Sequence, residues 1–168
     1  KTETIVAEQA AEGVKLLLFP ESYLPGYPRG FDFGAVVGRR TTEGRKTWQA
    51  YSDHRVAVGV RHCDRLAALA QKYQLFIIMG ITERDEQTTT LYCSLLYFSP
   101  TEGLMGCHRK LKPTGSERLI WGEGGAADLE VYPTSLGKMG GLICWENLMP
   151  LARMALYQQG IQIYLAPT

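Results

Sequence analysis

Gly140-Gly141-Leu142-Ile143-Cys144-Trp145-Glu146-Asn147 passes from an apolar run into polar, turn-forming residues. Residues 138–143 read as a buried strand whose paired glycines permit close backbone approach, and residues 150–157 read as an amphipathic helix. A further apolar run, residues 161–165, reads as a strand after the stop at Gly160. Strand, helix and strand in succession are the pattern of an α/β sheet. Cys144 falls in the turn between the first strand and the helix. A thiol there can face a cleft and have its thiolate favoured by the helix dipole. Cysteine is equally at home in a core, so the rest of the chain has to decide.

Working outward, residues 4–12 fit a short helix stopped by Gly13, and residues 14–19 a strand that is apolar on both faces and so covered on both. Pro20 ends that strand and Glu21 follows it. Residues 22–30 form a turn-rich loop, and residues 31–51 a loop passing into a short helix. Residues 52–73 show a helical stripe of Val56, Val60, Leu66, Leu69 and Ala70, weakened at Gly59. Residues 75–82, 89–98 and 104–110 read as a three-strand meander with turns at 85–87 and 99–103. Residues 113–125 make a long loop, and residues 129–132 pair with 139–143. With no repeat, low-complexity segment or linker, the expectation is one domain with helices covering a mixed sheet.

Composition narrows the function. Eighteen Lys and Arg against seventeen Asp and Glu give a net charge of +1 over 168 residues, with the signs mixed. That balance carries no footprint for nucleic acid or for an anionic membrane. No apolar run approaches the roughly 20 residues of a bilayer span, and the first residues lack a signal-peptide layout, so a cytoplasmic location is the default expectation. Cys63, Cys93, Cys107 and Cys144 are irregularly spaced without a C-x-x-C pair, which argues against zinc and a disulfide framework.

Two further groups share Cys144's kind of position. Glu21 stands at the C-terminal end of a strand, where open α/β sheets place functional groups, although a solvated carboxylate would read the same. Lys110 ends the third meander strand, in a basic run that could simply be a solvated face. Together, a carboxylate, an ammonium and a thiol suit attack on an electrophilic carbon bonded to nitrogen. The carboxylate takes the thiol proton and later activates water, the thiolate attacks, and the ammonium stabilises charge in the addition intermediate. His54 and His62 read as solvent-side or core-edge residues with no nucleophile beside them.

Three motifs then coincide. Phe19-Pro20-Glu21 with Pro25-Gly26-Tyr27-Pro28, His108-Arg109-Lys110-Leu111-Lys112-Pro113-Thr114, and Cys144-Trp145-Glu146-Asn147 resemble, in order, the glutamate, lysine and cysteine motifs of the nitrilase superfamily. The residues after Lys110 and Cys144 look like its nitrilase branch. The resemblance implies a Glu21, Lys110 and Cys144 triad, with Lys110 preferred over Lys112, and Glu117 as the supporting glutamate near it. It implies an α-β-β-α sandwich, incomplete here at both ends as in an internal fragment that would be inactive alone. It also implies hydrolysis of a small-molecule nitrile to the carboxylic acid and ammonia, without cofactor or metal, by a protein that assembles as a homo-oligomer, either a dimer or a spiral. Tyr27 and Trp145 are candidate pocket-wall residues, with core packing as the competing reading. An amidase-type relative and an inactive interaction module are the alternatives.

Overall fold

In the computed structural model, which describes residues 1–59 and 61–168, the second strand shows how the chain is layered. Strand β2 (Phe76–Arg84) pairs antiparallel with β3 (Leu91–Ser99), and β3 with β4 (Gly103–Arg109), as the meander expected. Successive side chains of a strand point to opposite faces. Accordingly Ile77, Met79 and Ile81 of β2, with Leu96 and Phe98 of β3, join one buried cluster, while Phe76, Ile78, Leu91, Cys93, Leu95 and Tyr97 join another. Both faces are covered, which is why these strands read as continuous apolar runs rather than alternating ones.

The first cluster is closed by helix α1 (Thr2–Ala11), through Val6, and by helix α3 (Arg61–Tyr73), through Cys63, Leu66 and Ala70. The second is closed by a two-stranded parallel sheet of β5 (Met139–Gly141) and β6 (Ile163–Leu165), through Met139, Ile143 and Leu165. Helix α4 (Pro150–Gln158) covers the outer face of that sheet, packing Ala152 and Leu156 against Leu142. The layers are therefore helix, sheet, sheet, helix, the α-β-β-α sandwich expected. Each fully buried Leu, Ile or Phe in the two clusters contributes about 1.5–3 kcal/mol to holding the layers together.

Three sequence expectations change in detail. Residues 52–73 are not one helix: α2 (Thr42–Asp53) stops at His54, and α3 begins at Arg61. Between them Gly59 takes φ +83° and Val56 bridges to Glu83 beside β2, so the local chain pairs with the sheet instead of continuing a helix. Val60, which the helical stripe had included, lies outside the described residues. The strand β1 (Leu16–Leu18) is the edge of the four-stranded sheet, parallel to β2, and Leu18 is 37 % exposed, so it is not covered on both faces. The pairing of residues 129–132 with 139–143 reduces to one antiparallel bridge, Tyr132 to Met139. Among the described residues no helix is long and apolar enough to cross a membrane.

Candidate active site

Glu21 is placed by an unusually close backbone approach. The Phe19 N–H continues the β1–β2 ladder to the Ile78 carbonyl at 2.8 Å, and the chain then turns at Pro20. Gly80 of β2 lies directly beneath: a Cβ there would collide with the Pro20 carbonyl. A glycine inside a strand is the usual mark of such an approach, and this one lets Glu21 sit 7 % exposed over the end of the sheet.

The basic run at the end of β4 is sorted by strand alternation. His108 and Lys110 point inward and are buried, whereas Arg109 points the other way, to Glu83 and to Asp85 at 3.1 Å. The Lys110 N–H extends the ladder to the Cys93 carbonyl at 2.8 Å. Its side chain is completely buried. The ammonium donates to Glu21 Oε1 at 2.6 Å and to Glu117 Oε2 at 2.8 Å. Lys112, by contrast, pairs with Glu123 at the surface.

Glu117 comes from a short 3-10 turn, Gly115–Leu119, inside the long loop. Its Oε2 also accepts the Thr114 N–H at 2.6 Å, and its Oε1 accepts the Tyr27 hydroxyl at 2.7 Å. Burial alone would raise the Glu117 pKa, but the bonds from Lys110, Thr114 and Tyr27 outweigh it and hold the carboxyl below the usual range. Burial alone would lower that of Lys110, yet its two carboxylate partners raise it. Burial, with the Glu117 carboxylate next, pushes the Tyr27 phenol up. The shifts of Glu117 and Lys110 favour an ammonium beside an ionised Glu117 at neutral pH, and that of Tyr27 keeps its phenol protonated as the donor to Glu117.

A depressed folded-state pKa contributes stability above the unfolded value that is lost as pH falls through the folded one. Glu117→Gln should therefore destabilise the protein at pH 7 by about 1–3 kcal/mol. That is less than the cost of leaving a buried charge wholly unpaired, because Glu21 still holds Lys110. The gap between variant and wild-type melting temperatures should narrow as the pH is lowered below the ordinary glutamate range and through the depressed pKa of Glu117. A gap that does not change with pH would show that the carboxylate of Glu117 is not the stabilising group.

Cys144 adopts φ +52°, a left-handed conformation that a non-glycine residue holds only when its surroundings enforce it. The enforcing bonds are visible. The Cys144 N–H donates to the Pro167 carbonyl at 2.8 Å, and the Asn147 amide donates to the carbonyls of Cys144 and Leu142 at 2.8 and 2.9 Å. Tyr164 in turn donates its hydroxyl to Asn147 Oδ1 at 2.8 Å. Cys144 opens a 3-10 turn, Cys144–Leu148, and α4 begins only at Pro150. The helix dipole, which falls off within one turn, is thus not what addresses this thiol. Its Sγ accepts a hydrogen bond from the Thr168 hydroxyl at 3.2 Å.

Glu21, Glu117, Tyr27 and Cys144 line one cavity of about 390 Å³, together with Pro20, Arg29 and Thr168. Lys110 lies behind its wall, bound to both carboxylates. Trp145 is 64 % exposed and outside the lining, so it is neither core nor wall in this arrangement.

The other thiols differ from Cys144. Cys93 is buried and donates to Glu21 Oε1 at 3.4 Å, and burial, then the nearby carboxylate, pushes its pKa well up. Burial does the same for Cys107. Cys63 is buried in the first cluster. The contact of Cys93 with Glu21 had no sequence signal beyond the register of β3 against β4, and neither did the role of Gly80 until its neighbours are known.

A partly exposed cysteine on a left-handed turn, facing buried carboxylates across a cavity in an α-β-β-α sandwich, defines a candidate thiol hydrolase. The carbon-nitrogen hydrolase family model matches residues 1–168, and the chain belongs to that family. It is 47 % identical over 168 residues to the bifunctional nitrilase/nitrile hydratase NIT4A of Nicotiana tabacum and 48 % identical to nitrilase 3 of Arabidopsis thaliana. In each case all of this chain and 48 % of the relative are covered, so the chain spans about half the length of these curated relatives. In fold it is similar to Nit3 of Saccharomyces cerevisiae, a member of branch 10 of the nitrilase superfamily, with TM-score 0.77 and 22 % identity over 99 % of this chain and 56 % of that one. An amidase from Nesterenkonia sp. aligns with TM-score 0.70 and 17 % identity over the same shares.

Proposed function

We propose that the intact protein is a nitrilase that hydrolyses a small organic nitrile to the carboxylic acid and ammonia. The observation that carries this reading is the buried Lys110 ammonium, held between two carboxylates that share a cavity with Cys144. Glu21 takes the Cys144 proton and the thiolate adds to the nitrile carbon, giving a thioimidate. Lys110 stabilises the charge that develops in this addition. Water activated by Glu21 adds to the thioimidate, and the tetrahedral carbon expels ammonia to leave a thioester. A second water then releases the acid and restores the thiol, so that RCN and two waters yield RCOOH and NH3. Glu117 acts by holding Lys110 and, through Tyr27, shaping the cavity wall. No cofactor is required by this sequence of steps. Of the two expected wall residues Tyr27 carries the proposal and Trp145 does not.

Relatives named bifunctional nitrilase/nitrile hydratase support a second outcome at the same site. If the tetrahedral carbon expels the cysteine thiolate instead of ammonia, the product is the amide. Incubating the intact protein with a panel of nitriles and the matching amides, and measuring acid, amide and ammonia, tests the reading. Acid and ammonia from nitriles are expected. Turnover of amides with nitriles untouched would make it an amidase-type hydrolase, and no turnover of either would favour a non-catalytic module.

The partner proposed is a second copy of the chain. Leu148, Leu151, Met154 and Tyr157 recur every third residue along the 3-10 turn and α4, each at least half exposed, an apolar stripe suited to self-association. The proposed chemistry needs Cys144 as a thiol, which fits a reducing, cytoplasmic setting.

A further inference from the structure

Glu146 is 1 % exposed and lies between the segments that carry Lys110 and Cys144. Its Oε2 accepts the Ile143 N–H at 2.7 Å, and its Oε1 accepts the Leu111 N–H at 2.7 Å. Ile143 immediately precedes Cys144, and Leu111 immediately follows Lys110. The same carboxylate meets His108 Nε2 at 3.0 Å from Oε2 and 3.2 Å from Oε1, while His108 Nδ1 faces the Asp128 carbonyl at 3.2 Å. The His108 ring thus spans the Glu146 carboxylate and the Asp128 carbonyl, tying the carboxylate to β4 a second time.

We propose that Glu146 is a positioning residue that locks the end of β4, and so Lys110, in register with the Cys144 turn, with His108 as its buried hydrogen-bond partner. The proposal rests on the nitrilase reading of Lys110 and Cys144. The two segments belong to different sheets, β4 to the four-stranded one and the turn to the end of β5, so no ladder sets their relative position. One acceptor-only group joins them. A buried ion pair contributes little net stability compared with apolar residues of the same volume, so packing alone gives no reason for a carboxylate here. Convergence of two backbone donors and an imidazole does give one: glutamine would offer a single acceptor oxygen and turn an N–H against one of these donors.

The role shows in turnover rather than in substrate affinity. Misplacing a reacting group by about 1 Å costs on the order of 10²-fold in rate. In the intact protein, Glu146→Gln should lower kcat by about 10²-fold per Cys144 titrated with iodoacetamide, with KM changed less than about threefold. Counting only titratable Cys144 removes the contribution of unfolded protein. His108→Gln should lose kcat in the same direction, and the double variant should be no worse than the worse single, because the two side chains act as one unit. If Glu146→Gln does not accumulate as folded protein, Glu146→Asp, which keeps the charge on a stem too short to reach both N–H groups, takes its place in the same comparison. A kcat within threefold of wild type, a loss confined to KM, or losses that add in the double variant would overturn the proposal. Lys110→Met, assayed alongside, separates the two claims: normal turnover there sinks the nitrilase reading, whereas an inactive Lys110→Met beside an unimpaired Glu146→Gln sinks only the clamp.

Discussion

Lys110→Met in the intact protein is expected to lose nitrile turnover by about 10³-fold or more and to unfold at a distinctly lower temperature. Both effects come from one ammonium. In the proposed mechanism it stabilises charge in the addition intermediate, a contribution of about 10²–10³-fold for a single donor, and its bonds to Glu21 and Glu117 hold both carboxylates in place. Methionine keeps the stem but leaves Glu21 and Glu117 buried without their counter-ion. Removing one partner of a buried pair costs about 3–5 kcal/mol. Lys112→Met is the control: its pair with Glu123 is exposed, and exposed pairs contribute at most about 1 kcal/mol. Thermal melts with steady-state rates check the pair of variants. Full turnover in Lys110→Met, or inactivation by Lys112→Met in its place, would mean the wrong lysine has been chosen.

Cys144→Ala should show the opposite division, with turnover lost by at least about 10⁴-fold and stability nearly unchanged. The thiol supplies the only covalent bond the proposed mechanism makes to substrate. Its side chain is only partly buried, and the bonds that hold the turn, from Pro167 and Asn147, engage the backbone rather than sulfur. Melting should therefore move by no more than about 1 kcal/mol equivalent. Residual hydrolysis above a hundredth of wild type would assign the nucleophile elsewhere.

How far these residues could be read from the sequence depended on the range of the interaction. The meander was legible because continuous apolar strands bounded by Asp85-Glu86-Gln87 and Ser99-Pro100 leave few other ways to pair. Lys110 was separable from its neighbours only through the lysine motif. The structure supplies the physical reason, since alternation past β4 turns Lys110 inward and Arg109 outward. The break between α2 and α3 was not legible, because the bridge from Val56 to Glu83 is a tertiary contact that overrides a plausible helical stripe. Glu146 was visible only as part of a motif. Its work depends on Leu111, His108 and Ile143 converging across two sheets, and local spacing carries no trace of that. The left-handed turn at Cys144 was likewise hidden, since its side-chain support comes from Asn147 and, behind that, Tyr164.

The central claim is that Cys144 carries the substrate, and acid-quenching the intact protein during steady-state turnover of a nitrile, followed by peptide mass mapping, tests it most directly. A single adduct, with the mass of the thioester or thioimidate, is expected on the peptide containing Cys144. Peptides containing Cys63, Cys93 and Cys107 should be unmodified, because Cys63 and Cys93 are buried and desolvation pushes the thiols of Cys93 and Cys107 up. An adduct on any of those three, or continued turnover with no adduct on Cys144, would contradict it.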